Sequence, residues 1–371
     1  MTIHGEFDTS AAFRQKANAV EWGDLMGDKI AWGVVGSCGI ARRRTMPEGI
    51  VPAANARLAG ICDRNREANA ELAKKLGTRA FGSLDELLAA DIRVVYIATP
   101  VFAHCDQVAQ CLKAGKHVLC EKPLALNVAA AQAVVALAKA AKLQLGSGFM
   151  MRFHAQHQEA LKLIQSGKLG KPVYARAQLS CWYPPMEGNW RQDPSQGGGG
   201  SLADMGVHCI DLLEMFFGPA ASVSCHIGNI VHGYKSEDGA IAALTFANGA
   251  LGTVDTFFCI PDEGSRNVLE LYGSDGSILA KGTIGQDPGG EMTFYARAKG
   301  GYDAQQERDA SQGLAIRPTP INTYRAEIEE FSQAILEGRP SSLAGDLGLR
   351  SQKVLEACYE SAKTSRNVAI T

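Results

Sequence analysis

The chain has 371 residues, 46% hydrophobic and 20% charged, with a formal net charge of −2. That length suits two domains with real cores, and so near-neutral a balance leaves no electrostatic footprint for nucleic acid or an anionic membrane. No run of about 18 apolar residues points to a transmembrane helix, and a start carrying Glu6, Asp8, Glu21 and Asp24 does not read as a secretory signal.

Residues 1–29 are polar and weakly periodic; they read as an arm, packed on the body or on a partner subunit, or trailing free. From Ile30 the pattern changes. Ile30 to Val35 is a short apolar run stopping at Gly36, which predicts a buried parallel strand followed by a turn and a helix. Arg57 to Cys62 is a second strand, closed by Asp63, and 66–76 is helical, ending on Gly77. Ser83 opens another helix as an N-cap. The run 94–98 is a third strand stopped by Thr99-Pro100, 104–114 is helical, and 117–120 is a fourth strand stopped by Glu121-Lys122-Pro123. An Ala-rich helix over 129–142 and a fifth strand over 144–148 complete the first region. Strands alternating with helices predict a parallel α/β sheet over 30–150.

Beyond Met150 a helix is expected over 155–166. Alternating apolar and polar stretches then follow at 172–183, 220–232, 237–246, 249–259, 266–273 and 276–281. They predict a mostly antiparallel sheet with one covered face, the other being available to a second subunit. Residues 283–318 are Gly- and Gln-rich with little periodicity and read as a long excursion. Two helices, 322–337 and 343–365, end the second domain (151–371), free to pack back on the first. Ten cysteines without C-x-x-C pairs read as reduced thiols of a reducing compartment, the cytoplasm, rather than as disulfides or zinc ligands.

Three motifs carry chemistry. Gly36-Ser37-Cys38-Gly39-Ile40-Ala41 follows the first strand and opens a helix, where a dinucleotide pyrophosphate meets backbone N–H groups and the positive helix end. Cys38 stands where the G-x-G-x-x-G/A pattern has its second glycine. Asp63 ends the next strand and is placed to accept from the adenosine ribose hydroxyls, which favours NAD; Arg64 suits a 2′-phosphate, which keeps NADP admissible. Glu121-Lys122-Pro123 follows a buried strand at the carboxyl edge of the sheet, where such folds bind ligands. A lysine there can polarise a carbonyl or hold an alcohol oxygen, against the plainer reading of a surface Lys-Glu pair. Gly197 to Gly200 then leads into Ser201, Asp204, His208 and Asp211, with Asp204 and His208 on one helical face. His208 is suited to moving a hydroxyl proton and Asp204 to orienting it. Asp204 as a capping-box partner of Ser201, and His208 as a buried structural histidine, compete with that reading. No third ligand at convincing spacing accompanies the Asp/His pair, so no metal is expected. Trp182, Tyr183, Trp190 and Arg191 precede this helix and suit sugar C–H faces and hydroxyls, and Arg152 could approach the same pocket.

Together these residues resemble the Gfo/Idh/MocA oxidoreductases, a family named for glucose–fructose oxidoreductase and inositol 2-dehydrogenase, over roughly residues 30–371. Gly36 to Ala41, Thr99-Pro100 with His104, Ala114 to Val118 followed by Glu121-Lys122-Pro123, Gly198 to Gly200 with Asp204, Gly206, His208 and Asp211, and Tyr324 with Glu327 and Glu329 carry the resemblance. It implies a Rossmann doubly wound domain followed by an α+β domain with a large open sheet that builds homodimers or homotetramers. It implies cofactor contacts from Gly36, Cys38, Gly39, Ile40, Ala41, Asp63, Arg64, Thr99, Pro100, His104, Glu121 and Lys122. Lys122, His208 and Asp204 become the catalytic set. Arg152, Trp190, Arg191 and Tyr324 join Asp204 and His208 around a sugar or polyol. The activity implied is NAD(P)-dependent hydride transfer at a CH–OH carbon. Two alternatives are glycoside cleavage by transient oxidation and elimination, and a non-catalytic NAD-binding sensor.

Overall fold

The computed structural model describes residues 29–297 and 313–371. The expected arm, apart from Lys29, and the stretch 298–312 of the expected excursion lie outside the described residues.

The first sheet has six parallel strands among the described residues: β1 (Ile30–Val35), β2 (Ala56–Cys62), β3 (Arg79–Phe81), β4 (Val94–Ile97), β5 (His117–Cys120) and β6 (Leu145–Ser147). Their spatial order is β3-β2-β1-β4-β5-β6. All six residues of β1 are buried, as a strand covered on both faces requires. The winding reverses between β1 and β4, which opens a crevice at their carboxyl ends. β3 was not expected from sequence: with three residues, two of them exposed, it carries no pattern to read.

The second sheet contains β7 (Pro172–Ser180), β8 (Ala220–Gly228), β9 (Gly239–Phe246), β10 (Leu251–Phe257), β11 (Val268–Gly273), β12 (Gly276–Lys281), β13 (Glu291–Ala296), β14 (Leu314–Ala315) and β15 (Val368–Ala369). Neighbours run antiparallel except β7 and β10. Ala175, Ala177, Val254, Leu269 and Leu271 are buried on one face, beneath the helix Val207–Phe217. Ile241 and Leu251 stand exposed on the other. β13 and β14 correct the reading of 283–318 as a long excursion with little periodicity. Met292 and Phe294 point inward from β13 in ordinary strand alternation, hidden in sequence by the glycines around them.

The last helices close the molecule on its beginning. The helix Thr323–Glu337 packs on the helix Ala41–Ile50, and Trp32 of β1 donates from Nε1 to Ser332 Oγ at 3.0 Å. The Trp32 and Phe331 rings lie 5.8 Å apart. The helix Gly345–Thr364 lies on β8 and on the helix Val128–Ala141. One hydrophobic cluster therefore runs from β1 into the second sheet. Among the described residues no helix is long and apolar enough to cross a membrane.

Candidate active site

The glycine turn at the end of β1 is shaped by what cannot fit there. Gly36 adopts φ +79°, and a Cβ on it would sit 2.7 Å from the Ala98 backbone. Its N–H donates to Cys62 O at 2.9 Å, locking the turn to β2. Gly39, at φ +62°, faces open space. Cys38 is tolerated at the second glycine position because its backbone, not its side chain, does the joining: its N–H donates to Asp63 Oδ2 at 3.2 Å. Burial and the neighbouring Asp63 push its thiol up, so it stays protonated. Gly36, Cys38, Gly39, Ile40, Asp63 and Arg64 all line one cavity, with Thr99 and Pro100 beyond β4 on its other side. Ala41 is fully buried inside the following helix and does not reach it. His104 also departs from expectation. It is buried, with its ring nitrogens 2.9 Å from Thr99 O and 3.0 Å from Pro123 O. It ties the two loops together from behind, and burial pushes its pKa down to about 4.

A charge cluster lies further along the cavity. Lys122, just past β5, donates from Nζ to Asp204 O at 2.6 Å and to Asp204 Oδ1 at 2.9 Å. Arg191 Nε donates to the same Oδ1 at 3.2 Å. Burial works against the Asp204 charge, but the two cations outweigh it and hold the carboxyl well below the usual carboxylate range. His208 joins this wall. Burial, reinforced by the Lys122 charge, keeps its pKa well below the usual histidine value, so its ring is neutral near pH 7. Its Nδ1 is buried with no partner among the described residues, and the ring meets Phe149 edge-on at 6.1 Å. Glu121 lies behind the lysine, accepting from Tyr96 OH and, at 3.2 Å, from Lys122 N; burial raises its pKa.

The backbone around Asp204 differs from the capped helix expected. Ser201 is already helical, and its hydroxyl donates to Thr256 O at 3.1 Å instead of capping. The buried Glu237 carboxylate accepts from Leu202 N at 3.0 Å, so no Ser201–Asp204 capping box forms. Gly200 is required here, since a Cβ would sit 1.9 Å from Glu237 O. The turn Leu202–Gly206 is wound wide, as a π-helix, before the α-helix Val207–Phe217. Such turns recur at functional sites, and this one carries Asp204.

Trp190, Arg191 and Tyr324 line the cavity, with the Arg191 guanidinium 4.2 Å over the Trp190 ring. Arg152 does not line it. It is spent on Asp211, Nε to Oδ2 at 2.7 Å and Nη2 to Oδ1 at 2.8 Å, a bidentate pair buried below the site. Trp182 also lies off the wall, edge-on to His232. The sequence reading missed Arg43, Met150, Met151, Met205, Phe258, Asp262, Asn267 and Gln286, all of which reach the wall. Arg43 could have been found from its place one turn past the glycines. Asp262 and Asn267 sit in a connection between strands that bears no motif.

The whole forms one cavity of about 1170 Å³, continuous from Asp63 and Arg64 past Lys122 to the ends of β7 and β11. A glycine turn with no room for a Cβ, an open approach at Gly39, and a carboxylate at the end of β2 fit an adenine dinucleotide. Fold and cavity thus define a dinucleotide-dependent oxidoreductase. Residues 30–149 match the model of an oxidoreductase family with an NAD-binding Rossmann fold, and residues 157–279 match the GFO/IDH/MocA C-terminal domain. An uncharacterized oxidoreductase of Schizosaccharomyces pombe is 35% identical over 317 residues, 79% of this chain and 85% of its own length. The 1,5-anhydro-D-fructose reductase of Ensifer adhaerens is 28% identical over 344 residues, 91% of this chain and 98% of its own. The crystal structure of aldose-aldose oxidoreductase from Caulobacter crescentus, complexed with glycerol, superposes with a TM-score of 0.82 at 25% identity, covering 92% of this chain and 99% of that one. The chain belongs to the Gfo/Idh/MocA family and is an NAD-binding oxidoreductase.

Proposed function

We propose that the protein is an NAD(P)-dependent dehydrogenase or reductase acting at a secondary CH–OH carbon of a sugar or polyol. The observation that carries this is the meeting of Lys122, Asp204 and His208 in the cavity that begins at the dinucleotide turn. Gly36, Cys38, Gly39 and Ile40 would hold the pyrophosphate, and Asp63 the adenosine ribose. When bound, the nicotinamide supplies the acceptor or donor of the hydride.

The chain's own residues do the rest. Lys122 holds the substrate oxygen, and its charge stabilises that oxygen as a proton leaves. His208, neutral near pH 7, takes the hydroxyl proton in oxidation and returns it in reduction. Asp204 fixes the Lys122 ammonium in place, shared with Arg191, so the lysine enters the reaction already oriented. Trp190 and Tyr183 offer ring faces for sugar C–H groups. The activities that two relatives are named for, an anhydrofructose reductase and an aldose-aldose oxidoreductase, support the substrate class.

Asp63 disfavours a 2′-phosphate, which supports NAD; Arg64 and Arg43 on the same wall keep NADP in use as a second cofactor. The uncovered face of the second sheet supports a homodimer or homotetramer, and ten free cysteines support a reducing, cytoplasmic setting. We divide the chain into a dinucleotide domain, 30–150, and a substrate and assembly domain, 151–371. The test is absorbance of reduced nicotinamide across a panel of sugars and polyols with each cofactor. Turnover on at least one sugar is expected; none with either cofactor would sink the reading.

A further inference from the structure

The connection between β10 and β11 forms part of the cavity wall and carries two side chains whose polar ends are only half used. Asn267 stands at φ +46°, a left-handed conformation that asparagine tolerates better than most residues and that persists only where surroundings impose it. Its Oδ1 accepts from Ser180 N at 3.1 Å and lies 2.8 Å from the Ser265 hydroxyl. A backbone N–H only donates, so the oxygen is the end tied to the sheet. The Nδ2 group, with two N–H donors, has no partner among the described residues. Asp262 repeats the arrangement with the opposite polarity. One carboxylate oxygen accepts from Trp182 N at 2.9 Å, and the other accepts from no described residue. Both side chains belong to the wall. The charge cluster is close: Cys181, the residue after Ser180, lies 3.8 Å from the sulfur of Met205, the residue after Asp204.

We propose that Asn267 and Asp262 set substrate specificity. Asn267 Nδ2 donates to one substrate oxygen, and the free Asp262 oxygen accepts from a hydroxyl, both at carbons other than the one oxidised. The inference rests on the sugar reading above and sharpens it. A fixed donor and a fixed acceptor demand a polyhydroxylated substrate, and a simple secondary alcohol leaves both unmatched.

Two variants separate recognition from structure. Asn267→Asp keeps the oxygen that binds Ser180 N and removes both N–H donors. Asp262→Asn keeps the oxygen that binds Trp182 N and turns the free acceptor into a donor. Wild type and variants are assayed on D-xylose, D-glucose, myo-inositol and 1,5-anhydro-D-fructose, then on monodeoxy analogues of the best substrate. Each variant is expected to lose on the order of 10- to 100-fold in kcat/KM, mostly through KM, while the melting temperature and NADH dissociation constant hold. The loss should nearly vanish on the analogue lacking the hydroxyl that each residue reads. Variants within about twofold of wild type on every substrate would overturn the inference, as would an equal loss on every deoxy analogue. Wild type turning over none of the panel would instead overturn the sugar reading, and this inference with it.

Discussion

The two walls of the cavity recognise by different means. The wall at the parallel sheet is shaped by backbone: Gly36 and Gly39 bend it, and the Cys38 main-chain N–H ties it to Asp63. The wall at the second sheet is mostly side chain, with Arg191, Asp204, His208, Asp262 and Asn267 projecting from a helix, a wide turn and strand connections. A backbone site tolerates changes in the side chains around it but no new Cβ. A side-chain site tolerates neither loss nor exchange of its polar ends, yet can be retuned one residue at a time. That contrast is how one fold can keep a cofactor while changing substrates.

The comparison breaks most visibly at Lys122, which stands on the backbone wall and points into the side-chain one. Lys122→Ala is expected to lower kcat by about 10²- to 10⁴-fold while NADH binding, followed by titration, is retained. Equal loss of NADH binding would make the lysine part of the cofactor cradle instead. Gly36→Ala should do the reverse. Its Cβ meets the Ala98 backbone at 2.7 Å in a left-handed conformation, and a cost of about 1–3 kcal/mol in stability with weakened NADH binding is expected in melts with and without NADH.

Acid stability tests the side-chain wall. His208 has its pKa held well below the ordinary value by burial, then by Lys122, while burial brings His104, behind the parallel-sheet wall, to about 4. The folded chain therefore binds fewer protons at these sites than the unfolded chain. Their stabilisation is complete above pH 6.5 and is lost as pH falls below it toward the folded values. Each group contributes a slope of at most about 1.4 kcal/mol per pH unit in that window. Denaturant titrations should show His208→Gln losing one such share; an unchanged slope would contradict a neutral His208. The smallest effect is expected at Asp63. Asp63→Asn should shift the NAD:NADP preference toward NADP by up to roughly tenfold, read from paired KM values, because one repulsive charge near the 2′ position is removed.

Much of the cofactor wall was legible in sequence because strand, turn and helix are local. Gly36, Gly39 and Asp63 announce themselves by spacing and by the apolar runs before them. Lys122 and the Asp204/His208 pair were legible as candidates, but their convergence was not, because the 82 positions between Lys122 and Asp204 close only in three dimensions. The errors have the same origin. Arg152 has the right charge in the right neighbourhood, and only the folded chain shows it consumed by Asp211. His104 follows the right motif, yet its ring faces two carbonyls behind the wall. Ser201 looked like a cap because Glu237, the residue that serves the helix start, lies far along the chain.

The bond between Trp32 and Ser332 joins residues 300 positions apart. During synthesis, therefore, the first strand emerges long before the helix that covers its indole. Until residues 323–337 have left the ribosome, the apolar surface around Trp32 stays open to solvent or to whatever attends a nascent chain. The strand that carries the glycine turn therefore gains its cover only once residues 323–337 have been made.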